Sequence, residues 1–270
     1  MTMAIRRFIL NSRVVLEIIQ ADLTDIQCDI LVNCSNKGLN GSHNLKAYWM
    51  FAGRKNVDTA IHNFAGPQLQ QDCDSIDFKL SSCSDPTSTA RYTKCDIGEV
   101  WITLAYGGLK SKVVAHTVSP RYYDMSDDEC AAALMDSYSS VFLASTLLRA
   151  RTICFPAIGC GICEVPPRVS AAAFIAALSL RPSCTTSTTH LSNSSNESNK
   201  YMKYNNGKLS FDSKSSLLIE SSDDTREHPN LELTRVVCCM KESKTYWAWI
   251  KAAEDSPLLA NDLHGLDPLT

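Results

Sequence analysis

The run Thr152-Ile153-Cys154-Phe155-Pro156-Ala157-Ile158-Gly159-Cys160-Gly161-Ile162-Cys163 decides the fold class. Thr152–Ile158 reads as a buried strand. A glycine-bearing loop follows, and the apolar spacing of Pro167–Leu180 predicts a helix. Glycines at a strand end permit positive φ and close backbone approach. Successive amides in such a loop form a concavity that suits a diphosphate. Cys160 and Cys163 also have Cys-x-x-Cys spacing, a redox pattern that normally sits at a helix N-terminus. Pro166 and Pro167 delay the helix here, which weakens that alternative. A zinc site of this kind would want a second cysteine pair, and none is present.

Working outward, further strand-like runs occur at Val14–Ile19, Ile30–Val32, Val100–Ala105, Val113–Val118 and Val236–Met240. Helical spacing recurs over Val57–Cys73, Asp127–Arg149 and Lys244–Ala253. Strands alternating with helices imply helices on both faces of a largely parallel sheet. In such a sheet, ligands sit at the carboxyl ends of the strands. Residues 183–230 stand apart: 23 of these 48 are Ser, Thr or Asn. So few apolar groups cannot offset the ordering entropy, so the segment reads as an inserted loop with a possible hairpin around Asn205-Asn206-Gly207. A smaller polar insertion covers Ser81–Thr93.

Three other segments carry candidate chemistry. Asp22, directly after Val14–Ile19, can accept from an exocyclic amine such as adenine N6, or simply cap a helical turn. In Val32-Asn33-Cys34-Ser35-Asn36, the amide of Asn36 can meet sugar hydroxyls as donor and acceptor or form a turn. In Val57-Asp58-Thr59-Ala60-Ile61-His62, Asp58 can favour the helix dipole or polarise a water. His62 lies one turn on; a lone helix histidine is more often structural.

Taken in order, these segments resemble the macrodomain family. The matching pieces are Ala21-Asp22-Leu23-Thr24, Val32–Asn36, Val57–His62 with Ala65-Gly66-Pro67, Gly98-Glu99-Val100, Val113–Pro120 and Phe155–Ile162. The resemblance implies a three-layer α/β/α fold with a mixed, largely parallel central sheet. It implies one domain over 1–270, with a core of about 13–180 and 231–253 and the insertion at about 183–230. Asp22 would bind adenine N6, Asn36 would contact the distal ribose with Asp58 beside it and near a water at the diphosphate, and Gly159, Cys160, Gly161 and Ile162 would cradle the diphosphate through backbone amides. Leu23, Val57 and Cys163 would also line the ligand site. Asn36 and Asp58 together look like the hydrolytic branch, which removes ADP-ribose from acidic side chains and deacetylates O-acetyl-ADP-ribose. The expected partners are therefore ADP-ribose, O-acetyl-ADP-ribose and mono-ADP-ribosylated proteins. A non-catalytic reader of ADP-ribosylated proteins is the alternative. No cofactor and no metal are expected.

Two departures from the family pattern bear on the site. The run of glycines before Val-Asp is replaced by a longer loop, residues 37–56, in which Arg54 or Lys55 could offset diphosphate charge or simply be solvated. Cys163 stands where an aromatic commonly follows Gly-Ile. Whole-chain properties narrow the classes further. A net charge of −3 argues against general nucleic-acid binding, which needs a basic face. No apolar run reaches the roughly 20 residues needed to span a bilayer. Arg6, Arg7 and Arg13 could belong to an organellar presequence, but Phe8–Leu10 and Val14–Ile19 read better as strands joined by a turn. The twelve cysteines lie partly in apolar runs and read as buried thiols of a reducing compartment. A cytoplasmic or nuclear monomer is the expectation.

Overall fold

The computed structural model describes residues 4–10, 13–41, 56–81, 92–181, 201–205, 208–212 and 233–261. Its elements in chain order are β1 (Ala4–Leu10), β2 (Val14–Gln20), β3 (Cys28–Ser35), α1 (Val57–Ala65), α2 (Pro67–Asp74), β4 (Lys79–Leu80), β5 (Tyr92–Thr93), β6 (Val100–Leu104) and β7 (Ser111–Val118). There follow α3 (Asp127–Leu147), β8 (Thr152–Phe155), α4 (Pro167–Leu180), β9 (Tyr201–Asn205), β10 (Lys208–Asp212), β11 (Arg235–Met240), α5 (Ser243–Glu254) and β12 (Ala260–Asn261).

The main sheet runs β10-β9-β6-β7-β3-β8-β11-β2-β1-β12. Its centre, β7-β3-β8-β11-β2, is parallel throughout. Antiparallel strands complete both margins. The centre is buried on both faces, so its strands read as continuous apolar runs. Alternation along each strand still sorts the side chains. Ile30, Val32, Ile153, Phe155, Val236 and Cys238 pack with α3, α4 and α5, whereas Leu31, Cys154, Val237 and Cys239 pack with α1 and α2. The fold is thus a three-layer α/β/α sandwich with a mixed sheet. On the thicker side Phe155 meets Phe174 at 5.4 Å and Phe142 at 5.1 Å between ring centroids.

Local sequence explains the element ends. Ser126 and Glu129 form a reciprocal capping box that starts α3. The stretch read as one helix over Val57–Cys73 is two: Gly66, at φ 78°, ends α1, and Pro67 opens α2 at a first-turn position that needs no N–H. β8 ends at Phe155, before Pro156, rather than running to Ile158. β3 extends to Ser35, so Asn33 lies inside a strand instead of at its end. Arg7 on β1 and Arg235 on β11 both hydrogen-bond Glu17 of β2, at 3.0 Å and 2.7 Å, and so tie three neighbouring strands together.

The insertion contributes structure. β9 and β10 pair as a hairpin across positions 206–207 and lengthen the sheet beyond β6. The Ser81–Thr93 insertion is closed at its base by β4 against β5. Arg54 and Lys55, with most of the 37–56 loop, lie outside the described residues.

Candidate functional site

The parallel strands end together, and each carboxyl end delivers a short polar segment. β2 leads to Asp22, β3 to Asn36, β7 to Ser119, β8 to the 156–163 loop and β11 to Lys241. This is where an open α/β sheet offers a crevice.

The loop after β8 is the most distinctive part. Gly159 takes φ 82°, and a Cβ there would lie 2.6 Å from both Ser119 Oγ and Val165 Cγ2. The Gly159 carbonyl accepts from Val165 N at 3.0 Å. The Cys160 amide closes a turn onto Ala157 O at 3.2 Å. Among the described residues, the next three amides, Gly161, Ile162 and Cys163, have no acceptor. A Cβ on Gly161 would meet nothing within 4 Å and Gly161 is exposed, so the loop borders open space at this residue. Consecutive unsatisfied N–H groups bordering a cleft suit an anion with several acceptor oxygens.

The cysteines of this loop are poor redox candidates. Burial pushes the Cys160 thiol up to about 12 and also raises Cys163. A reactive thiol needs the opposite shift.

At the β2 end Asp22 caps a 3-10 turn, Leu23–Asp25, accepting from Thr24 N at 3.2 Å and Thr24 Oγ1 at 2.8 Å. Its other oxygen accepts from Lys241 Nζ at 2.7 Å. Burial raises the Asp22 carboxyl, but Lys241 and Thr24 outweigh it and leave the group below the usual carboxylate range. The capping role is therefore present, and Oδ2, which accepts only from Lys241, keeps a lone pair for a ligand amine. Leu23 is buried in the core against α1.

At the β3 end the amide of Asn36 serves its own loop. Its oxygen accepts from Gly38 N at 3.0 Å and Asn40 N at 3.2 Å, and its nitrogen donates to Asn40 O at 2.5 Å. This supports Leu39, a non-glycine residue at φ 52°. Val57 opens α1, half-buried against the core. Asp58, in the first turn, is 4% exposed. Its Oδ1 accepts from Asn33 Nδ2 at 2.8 Å and Ser35 Oγ at 3.2 Å, and lies 3.5 Å from His62 Nε2. The sequence-predicted residues thus fall into two sets. Asp22, Asn36 and the 159–163 loop border the strand ends; Asp58 and His62 form a buried network beneath them.

That network continues to His116 on β7. Asn33 Nδ2 lies 3.2 Å from His116 Nδ1, and Thr103 Oγ1 lies 2.9 Å from its Nε2. Since the Asn33 amide donates, Nδ1 must accept and Nε2 carries the proton. Burial, with His62 nearby, pushes this histidine down to about 3, so it is neutral. His62, Cys73 and His116 bring three potential metal-ligand atoms within 4.8 Å of one another. A cation there would have to displace the Nε2 proton and oppose the Asn33 amide, and burial raises the Cys73 thiol. The trio fits a hydrogen-bonded core better than a metal centre.

Sequence reasoning missed Lys241, Ser35 and His116 as members of this region. Lys241 had a usable signal, because it directly follows a strand of the parallel centre.

Comparison with known proteins gives the same family. The family model for the Macro domain matches residues 32–174. A macro domain-containing protein of Acinetobacter sp. is 30% identical over 154 residues, 57% of this chain and 70% of its own. An O-acetyl-ADP-ribose deacetylase of Enterobacter cloacae is 31% identical over 173 residues, 62% of this chain and 81% of its own. Among solved structures, the Oceanobacillus iheyensis macrodomain with MES bound superposes with a TM-score of 0.61 at 18% identity, covering 94% of this chain and 97% of that one. The Trypanosoma brucei macrodomain in complex with ADP-ribose gives 0.53 at 18% identity, covering 90% and 69%.

Proposed function

Because this chain belongs to the Macro domain family, we propose that it binds ADP-ribose across the strand ends and hydrolyses ADP-ribosyl esters. The observation that carries the reading is the set of amides at Gly161, Ile162 and Cys163, which lack an acceptor among the described residues in a loop that borders open space at Gly161. Two phosphates supply the missing acceptors. The adenine lies toward Asp22, whose carboxylate takes the N6 amine while keeping its cap. The distal ribose lies toward Asn36 and the start of α1. The substrates are O-acetyl-ADP-ribose and proteins mono-ADP-ribosylated on acidic side chains, and relatives bearing the deacetylase name support the first of these.

Water attacks the ester carbonyl near the distal ribose, the carbonyl–oxygen bond to the sugar breaks, and the sugar oxygen leaves as a hydroxyl by taking up the proton first lost by the water. Fixed amide dipoles on the diphosphate position the ester for this attack. Asp58 is an unsuitable proton acceptor when 4% exposed and hydrogen-bonded by Asn33 and Ser35. We assign the proton instead to a substrate phosphate oxygen, and give Asp58 the task of fixing the end of β3 through Ser35.

A second reading, a non-catalytic reader, is favoured by one observation: the Asn36 amide is engaged within its own loop. The two readings part on incubation with O-acetyl-ADP-ribose and with protein carrying glutamate-linked ADP-ribose. Release of acetate or free ADP-ribose, lost in Asn36→Ala while binding persists, supports the hydrolase. Binding without turnover selects the reader.

A further inference from the structure

The 156–163 loop is held from beneath by two buried hydroxyls. Tyr138 of α3 and Ser170 of α4 are both 0% exposed. Ile158 N donates to Tyr138 Oη at 3.1 Å, and Ser170 Oγ donates to Ile158 O at 2.8 Å. The two hydroxyls are 2.8 Å apart. Since Ser170 gives its proton to Ile158 O, Tyr138 must donate to Ser170. The bonds close a ring: Ile158 N–H to Tyr138, Tyr138 to Ser170, Ser170 to Ile158 C=O. Both main-chain groups of the residue before Gly159 are thereby fixed, three residues after β8 has ended and pairing can no longer hold the backbone. A closed chain of buried hydrogen bonds strengthens each member.

The tyrosine ring has separate support. It packs against Phe155 at 5.7 Å and Phe174 at 5.3 Å between centroids. Its hydroxyl therefore adds a directed bond to the loop rather than the packing of the ring.

We infer that Tyr138 and Ser170 are positioning residues for anion binding, which set the height and direction of the Gly161–Cys163 amides through Ile158. The ligand side of this inference rests on the proposed ADP-ribose reading; the anchoring of the loop does not.

The test uses the full chain with Tyr138→Phe and Ser170→Ala. Tyr138→Phe keeps the ring packing, and Ser170→Ala removes the second hydroxyl from a helix that accepts alanine. Two quantities are read: amide hydrogen exchange of residues 158–163 without ligand, and calorimetric affinity for ADP-ribose beside adenosine. Exchange in the loop should quicken in both variants, with the sheet centre unchanged. ADP-ribose should bind about threefold to tenfold more weakly, the effect of loosening one neutral hydrogen bond, while adenosine, lacking phosphates, binds as before. A merely structural role would weaken both ligands or neither. Unchanged loop exchange in both variants overturns the anchoring, and quickened exchange with equal loss of adenosine overturns its link to phosphate. A wild-type chain that binds no ADP-ribose overturns the nucleotide reading, and the exchange data then decide the anchoring alone.

Discussion

Gly161→Val separates the fold from the binding site. A Cβ at this position meets nothing within 4 Å, and the backbone is outside the left-handed region. The substitution should therefore change stability by no more than about 0.5 kcal/mol, as at an ordinary surface position. The open space it fills is where a diphosphate would approach the amides of residues 161–163. Each hydrogen bond to a charged oxygen is worth roughly 1.5–3 kcal/mol. Losing one weakens binding roughly tenfold to a hundred-and-fiftyfold. Gly159→Ala is the contrasting control. At φ 82°, with Ser119 Oγ and Val165 Cγ2 each 2.6 Å from the new atom, it costs about 1–2 kcal/mol in backbone strain alone. Thermal melts should show loss of stability only at position 159, and titration calorimetry should show loss of ADP-ribose affinity at both. A Gly161→Val protein that binds ADP-ribose as the wild type does would refute the placement of the diphosphate.

Asp22→Ala should cost about 1.5–3 kcal/mol of ADP-ribose affinity by calorimetry, and unchanged affinity would remove the adenine assignment. Because Lys241 and Thr24 hold this carboxyl below its usual range, its capping and pairing are present above the unfolded pKa and lost only as pH falls through the lower folded value. Affinity should accordingly stay level from pH 7 to pH 5. His116 is pushed down to about 3, while the unfolded chain takes up the proton near pH 6.5. Its contribution to stability is thus complete above about 6.5 and falls by about 1.4 kcal/mol for each unit toward 3. Imidazole NMR should show His116 neutral, with the proton on Nε2, down to pH 5; titration near 6.5 would contradict the buried network. We read the chain as one domain carrying the 183–230 segment as an insertion. Replacing that segment with a short linker removes β9 and β10 from the sheet margin and should leave cooperative unfolding intact; loss of cooperativity would show that the hairpin belongs to the core.

The parallel centre was legible because both-face burial writes itself as apolar runs such as Ile30–Val32 and Val236–Met240, separated by helical spacing. Boundaries were harder. Apolar periodicity continues through Gly66-Pro67, so only the special backbone at that dipeptide divides α1 from α2. The β9–β10 hairpin was half legible: Asn205-Asn206-Gly207 signalled a turn, but nothing in so polar a segment said that it would join the main sheet. In the site, the glycine loop was readable because close approach and positive φ leave few residue choices. The engagement of Asp58 was not, because it meets Asn33 and Ser35 from another element. The turn that Asn36 makes with Gly38 and Asn40 was one of two readings of that residue, and spacing alone did not choose between them.

The most direct test is a crystal structure of the full chain soaked with ADP-ribose. The expected result is diphosphate oxygens within hydrogen-bond distance of the amides of Gly161, Ile162 and Cys163, with the adenine amine on Asp22. A nucleotide bound elsewhere on the sheet, with those amides still facing solvent, would contradict the account.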